Sequence, residues 1–194
     1  MQFQSYAEIR DSIQDGDIIF FKGRWSILTN AIVMFFTRSP IYHVGVAFWV
    51  QTKTARRLFL LESHGKSTRR IVNLSYYEKW EMLAIKAPKP WETIEKDALE
   101  KLGKVSYGYL EGTYIGLRDV FMNVFGVKLP TYDLPAEVCS SLVARLYGME
   151  DPIVSPQRLY LDLLEITEER EISQAEAAPV TKTKVKRKTK RNRR

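Results

Sequence analysis

Apolar and polar positions change rhythm along the chain, and each change marks an element. Tyr6, Ile9 and Ile13 recur at helical spacing and predict a short helix over 5–13, closed by a turn at Asp15-Gly16-Asp17. The apolar run 18–21 suits a buried strand. Residues 25–37 are apolar around much of a helical circumference, through Ile27, Leu28, Ala31, Ile32, Met34, Phe35 and Phe36, until Ser39-Pro40 stops the helix. A core helix is the expected reading of that segment, with lipid contact as the alternative.

β-branched and aromatic residues then dominate 42–50, and 57–63, 68–74 and 82–86 predict further strands. Their short polar connections predict a mostly antiparallel sheet. Pro88-Lys89-Pro90 breaks the chain, and the period turns helical from Trp91, with Ile94, Ala98, Leu99 and Leu102 on one face. Helices are expected at 113–125 and 137–147, a loop at 130–135, and a last helix opening at Ser155-Pro156 with Leu159, Leu163 and Leu164 inward. Apolar content collapses from Glu168, so a domain over 1–167 and a disordered tail over 168–194 are expected, with order lost from near Ile172.

Composition narrows the class. With 194 residues and 45% apolar content, the chain can bury one core. One cysteine, Cys139, excludes an internal disulfide framework, and two histidines, His43 and His64, leave little for a metal cluster; no metal and no cofactor are expected. The net charge of +7 is unevenly placed. Residues 181–194 hold nine of the 30 bases and no acid, which leaves 21 bases against all 23 acids in 1–180, a balance of −2. The body is therefore not a basic nucleic-acid-binding domain, while 181–194 suits nucleic acid or an anionic membrane. No signal peptide or transmembrane run is legible, so a cytoplasmic or virion-associated setting is expected.

Three residues stand out chemically. Cys139 falls near the start of the apolar helix 137–147, where first-turn N–H groups could hold an oxyanion beside the sulfur. A free Cys packed as a small hydrophobe is the plain alternative. His43 opens a strand whose alternation places His43, Gly45 and Ala47 on one face and Tyr42, Val44, Val46 and Phe48 on the other. It could serve as base to a thiol, or as a structural hydrogen-bonded residue. Glu62 closes an apolar strand and could orient an imidazole next door. His64 precedes Gly65 and belongs to a turn, or competes for a place in the site.

Together the segments Asp15-Gly16-Asp17-Ile18-Ile19-Phe20, Tyr42-His43-Val44-Gly45-Val46, Leu60-Leu61-Glu62, Val138-Cys139-Ser140-Ser141-Leu142-Val143-Ala144 and Ser155-Pro156 resemble the circularly permuted papain-like hydrolases. This is the permuted branch of the NlpC superfamily, with YiiX-like proteins, viral relatives and, more distantly, the lecithin:retinol acyltransferase group. The resemblance spans about residues 12–165. It implies an α+β, permuted papain-like (NlpC-type) fold: a small antiparallel sheet or open barrel packed against helices. It also implies a hydrolase or acyltransferase cleaving an amide, ester or thioester, with Cys139 as nucleophile, His43 as base and Glu62 orienting it. The substrate would be a peptide, an amide or a lipid ester. Tyr107 resembles a tyrosine that stands before the helical segment in some relatives, which implies a place near the substrate. Ser63-His64-Gly65 departs from the small apolar residues that often follow the acid. The competing expectation is a catalytically silent papain-like domain, used for binding or virion structure and tethered by its basic tail.

Overall fold

The computed structural model describes residues 1–65, 67–104, 108–130, 132 and 137–177. Five strands form one antiparallel sheet: β1 (Ile18–Lys22), β2 (Ile41–Gln51), β3 (Arg56–His64), β4 (Ser67–Asn73) and β5 (Met82–Ile85). Their order is β4-β3-β2-β1-β5. Short connections join β2 to β3 and β3 to β4, a longer helical one over 23–40 joins β1 to β2, and β5 returns to pair with β1. Ile18 to Phe21 are fully buried, as an uninterrupted apolar run requires of a strand covered on both faces.

Among the described residues six α-helices accompany the sheet: α1 (Tyr6–Ile9), α2 (Leu28–Thr37), α3 (Trp91–Glu100), α4 (Tyr109–Val120), α5 (Cys139–Tyr147) and α6 (Pro156–Ala177). One apolar cluster joins Val44, Val46 and Phe48 of β2 to Cys139, Leu142 and Val143 of α5 and Leu159 of α6. A second, on the opposite face, joins Phe21, Ala47 and Leu60 to Ile9, Leu74 and Tyr77. Each large side chain so buried contributes roughly 1.5–3 kcal/mol. The fold is thus α+β, a small antiparallel sheet packed against helices.

Several expectations are corrected. The segment 5–13 makes one α turn and one 3-10 turn rather than a single helix. α4 begins at Tyr109, not 113, and runs into a wide π turn, Phe121–Phe125. α5 starts at Cys139 itself, two residues later than expected. α6 passes the boundary drawn at 168 and the loss of order drawn at Ile172, remaining helical to Ala177. Low apolar content argued against structure there, but Glu, Gln, Ala and Arg are strong helix formers. Arg170 also donates to the carbonyls of Ala87 and Pro88, at 3.2 and 2.9 Å, tying that overhang to the body. Tyr107, most of the loop 130–135 and the tail 181–194 lie outside the described residues.

Candidate active site

Cys139 is the first residue of α5, behind an extended Val138 (φ −96°, ψ 173°). The chain that delivers it is fixed from several sides. Ser63 Oγ and the Gly108 N–H both donate to the Glu137 carbonyl, at 2.9 and 3.1 Å. Arg69, on β4, donates to both Glu137 carboxylate oxygens at 2.8 and 2.9 Å, and to the Asp97 carbonyl of α3 at 2.6 Å. Ser140 Oγ donates to the Val154 carbonyl at 2.6 Å, and the Val138 N–H donates to Ser141 Oγ at 3.0 Å. Residues on either side of Cys139 are therefore held by the sheet, α3, α4 and the approach to α6. The first-turn N–H groups of α5 have no acceptor within the helix, which leaves a concentration of donors beside the sulfur.

His43 stands opposite Phe21 in the β1–β2 ladder, and the next pair is Lys22 with Ile41. Tyr42 is thus an extra residue, a β-bulge that re-aims the side chains beside it. This corrects the strict alternation expected for β2. Tyr42 packs against the cluster that contains Phe21, and its ring centroid lies 5.6 Å from that of His43. Two residues on, Gly45 is required: a Cβ there would come within 2.7 Å of the Leu61 carbonyl oxygen.

Glu62 is fully buried, yet its oxygens are well supplied with donors. His43 Nε2 lies 2.7 Å from Oε2. The Tyr77 hydroxyl donates to both oxygens at 2.8 and 2.9 Å, and Arg70 Nε donates to Oε1 at 2.8 Å. Burial alone would raise the pKa of this carboxyl. The hydrogen bond and charge of His43, joined by Tyr77 and Arg70, outweigh burial and hold it down at about 2. His43 shows the mirror image. Burial opposes its charge, but the charge and hydrogen bonding of Cys139, then of Glu62, push it from 6.5 up to about 10. With Nε2 turned to Glu62, Nδ1 is the nitrogen left to Cys139. The structure therefore brings the three expected residues together in the order Glu62, His43, Cys139. Glu62, not His64, occupies the third place; the His64 ring centroid lies 6.4 Å from that of His43.

No family model matches the sequence, and no curated protein matches it.

Three residues of the site were not anticipated. Arg70 faces Glu62 directly across the β3–β4 ladder, but the register shifts between Ser63 and His64, so counting back from the turn at Gly65 would put Arg69 there instead. Tyr77 comes from a 3-10 turn after β4 and has no sequence signal beyond its type. Tyr42 was assigned to the wrong face. Burial, then the charges of Glu62 and Cys139, push its hydroxyl pKa up, so it remains an O–H donor close to both. Beneath α5, the buried Glu111 carboxyl lies against Ser141 and the Val138 N–H, with Arg145 Nη2 at 3.6 Å, and burial raises its pKa. Among the described residues no three His, Cys, Asp or Glu side chains group as they would around a metal ion.

Proposed function

We propose that the chain is a cysteine-dependent hydrolase or acyltransferase of the circularly permuted papain-like kind, acting on an amide, ester or thioester carbonyl. The most direct support is His43 set between the buried Glu62 and a cysteine at a helix start. In this reading the Cys139 proton passes to His43, and the sulfur bonds to the substrate carbonyl carbon. The carbonyl π electrons move onto oxygen, which the first-turn N–H groups of α5 stabilise. Collapse of that intermediate expels the amine, alcohol or thiol, which leaves with the proton held by His43. An acyl thioester remains on Cys139. Water or another nucleophile then gives its proton to His43 and attacks the thioester, releasing the sulfur. Glu62 keeps the ring oriented and supports its protonated form, while Arg70 and Tyr77 keep Glu62 ionised.

Two measurements test this: alkylation by iodoacetamide between about pH 5 and 9, and mass-spectrometric trapping of an acyl-enzyme from activated esters and thioesters. Cys139 should alkylate readily near neutral pH and gain the acyl mass. His43→Ala should slow both by on the order of a hundredfold or more. Cys139→Ala should abolish both while leaving thermal unfolding nearly unchanged, because it removes only a sulfur. Acyl transfer that survives Cys139→Ala would refute the mechanism, as would equal, slow alkylation of the wild type and His43→Ala.

A further inference from the structure

Two helices in this fold are turned inside out. α2 buries Asn30, Met34 and Thr37, a stripe at helical spacing of which two members are polar, and the Asn30 Nδ2 has no hydrogen-bond partner among the described residues. α4 buries Glu111, Ile115 and Arg118, of which two are charged. Exposed apolar side chains gather on their outward sides and in the segments beside them, at Trp25 before α2 and in the π turn after α4. Trp25 is 69% exposed, Leu28 75%, Phe35 70%, Leu110 84% and Phe125 64%. Ile32, Phe36, Leu117 and Val124 are exposed alongside them. α2 and α4 pack on each other, so the two helices share one region of the molecule. An amphipathic helix in water normally does the reverse, and scattered exposed leucines do not explain a surface this concentrated.

The buried sides of the same two helices reach toward the candidate site. Met34 of α2 and Tyr42 lie against the same glycine, Gly23, while Gly112 of α4 lies against Val138. Tyr42 and Val138 are the chain neighbours of His43 and Cys139.

Charge selects the occupant. Residues 22–38 include Lys22, Arg24 and Arg38 and no acid, with Lys22 paired to Glu81 at 2.6 Å; residues 109–130 set Arg118 and Lys128 against the buried Glu111 and the half-buried Asp119, so the exposed face carries no unburied acid of its own. The tail 181–194 adds nine positive charges and no negative one. A second copy docked symmetrically on this face would set like charges together. An anionic lipid surface satisfies both features, since bulky apolar side chains enter the headgroup boundary while lysine and arginine meet the phosphates. We propose that the outward faces of α2, α4 and the π turn Phe121–Phe125 dock this protein on an anionic bilayer. The proposal does not depend on the catalytic reading.

Flotation of the full chain tests it, with vesicles of phosphatidylcholine containing about 30% phosphatidylserine and vesicles of phosphatidylcholine alone. The protein should float with the anionic vesicles, and acyl chains brominated near the headgroup should quench a tryptophan signal that Trp25→Phe removes. The pair of exposed substitutions Phe35→Glu and Phe125→Glu should weaken partition by at least about tenfold without changing the circular dichroism spectrum. Failure of the wild type to float would overturn the proposal. So would flotation unchanged by the two substitutions, because the tail would then be the sole anchor. A wild-type dimer that the same substitutions dissolve would assign the face to a second copy instead.

Discussion

The two halves of the molecule handle polar side chains in opposite ways. Around the sheet and α5, charge goes inside and is answered there. Glu62 meets His43, Tyr77 and Arg70, and Glu137 meets Arg69, all at hydrogen-bonding distance. In the α2–α4 pair, polar groups also point inward, but the apolar side chains they displace are left facing out. A buried polar group is costly unless paired, so the first arrangement persists only if its geometry matters, to the fold or to the chemistry. The second leaves pairing incomplete, since the buried Asn30 Nδ2 has no hydrogen-bond partner among the described residues, and it exposes apolar surface of the kind that marks interaction sites. One region is closed on itself, the other open to an outside surface.

The sharpest way to break that contrast is to open the closed half. Arg69→Met leaves the buried Glu137 with only Arg145, 4.0 Å away, as a cation, and should cost on the order of 3–5 kcal/mol in urea unfolding, with alkylation of Cys139 falling in the same variant. Restoring most of the stability with Arg69→Met plus Glu137→Leu, but not the alkylation, would separate packing from positioning of the nucleophile.

A milder intervention is Glu62→Gln. The amide can still accept from His43 Nε2 but no longer offers a charge. Acyl transfer should fall about ten- to a hundredfold, less than for loss of the base itself. A larger loss than that of His43→Ala would place the essential group on Glu62 instead.

The pH response follows from the same pair. His43 is raised in the fold, so its contribution to stability is complete below about 6.5 and disappears as pH climbs through about 10. Glu62 is lowered, so its contribution is complete above about 4.5 and disappears as pH falls through about 2. Stability from the pair should therefore plateau between about pH 4.5 and 6.5. In Cys139→Ala, histidine NMR should show His43 titrating lower than in the wild type, because the burial cost remains while one of its two supports is gone. An unchanged titration would mean that Glu62 alone governs the ring.

The smallest effect belongs to the open half. Phe35→Ser replaces a side chain that faces solvent in the isolated protein, and should change unfolding by no more than about 0.5 kcal/mol. A loss of several kcal/mol would show that Phe35 is covered within the protein itself.

Much of this was legible beforehand, and the failures have physical causes. Strands emerged from runs such as 42–50, and Cys139, His43 and Glu62 from residue type and position. Tyr42 was misplaced because one bulged residue reverses every inference drawn by counting in twos. α2 was expected in the core because apolar residues surround it, and periodicity cannot say which of two apolar sides faces in. The length of α6 escaped because composition was used to argue disorder where helix propensity pointed the other way. Arg69 and Glu137 carry no local signal at all, since their partnership joins residues 68 apart in sequence.

The contact between Ser63 and Glu137 spans 74 residues, and this separation bears on how the chain is made. The last strand ends at Ile85, while Cys139 comes 54 residues later, a delay of about 3 to 10 seconds at ordinary synthesis rates. Throughout that interval the nascent sheet has Val44, Val46 and Phe48 of β2 without the helix that covers them. Arrested chains ending before residue 137 should be cut by protease across all five strands, and chains that include α5 should resist. The His43 imidazole and the Glu62 carboxylate are thus translated first and wait, and the sulfur arrives on the element that seals the sheet.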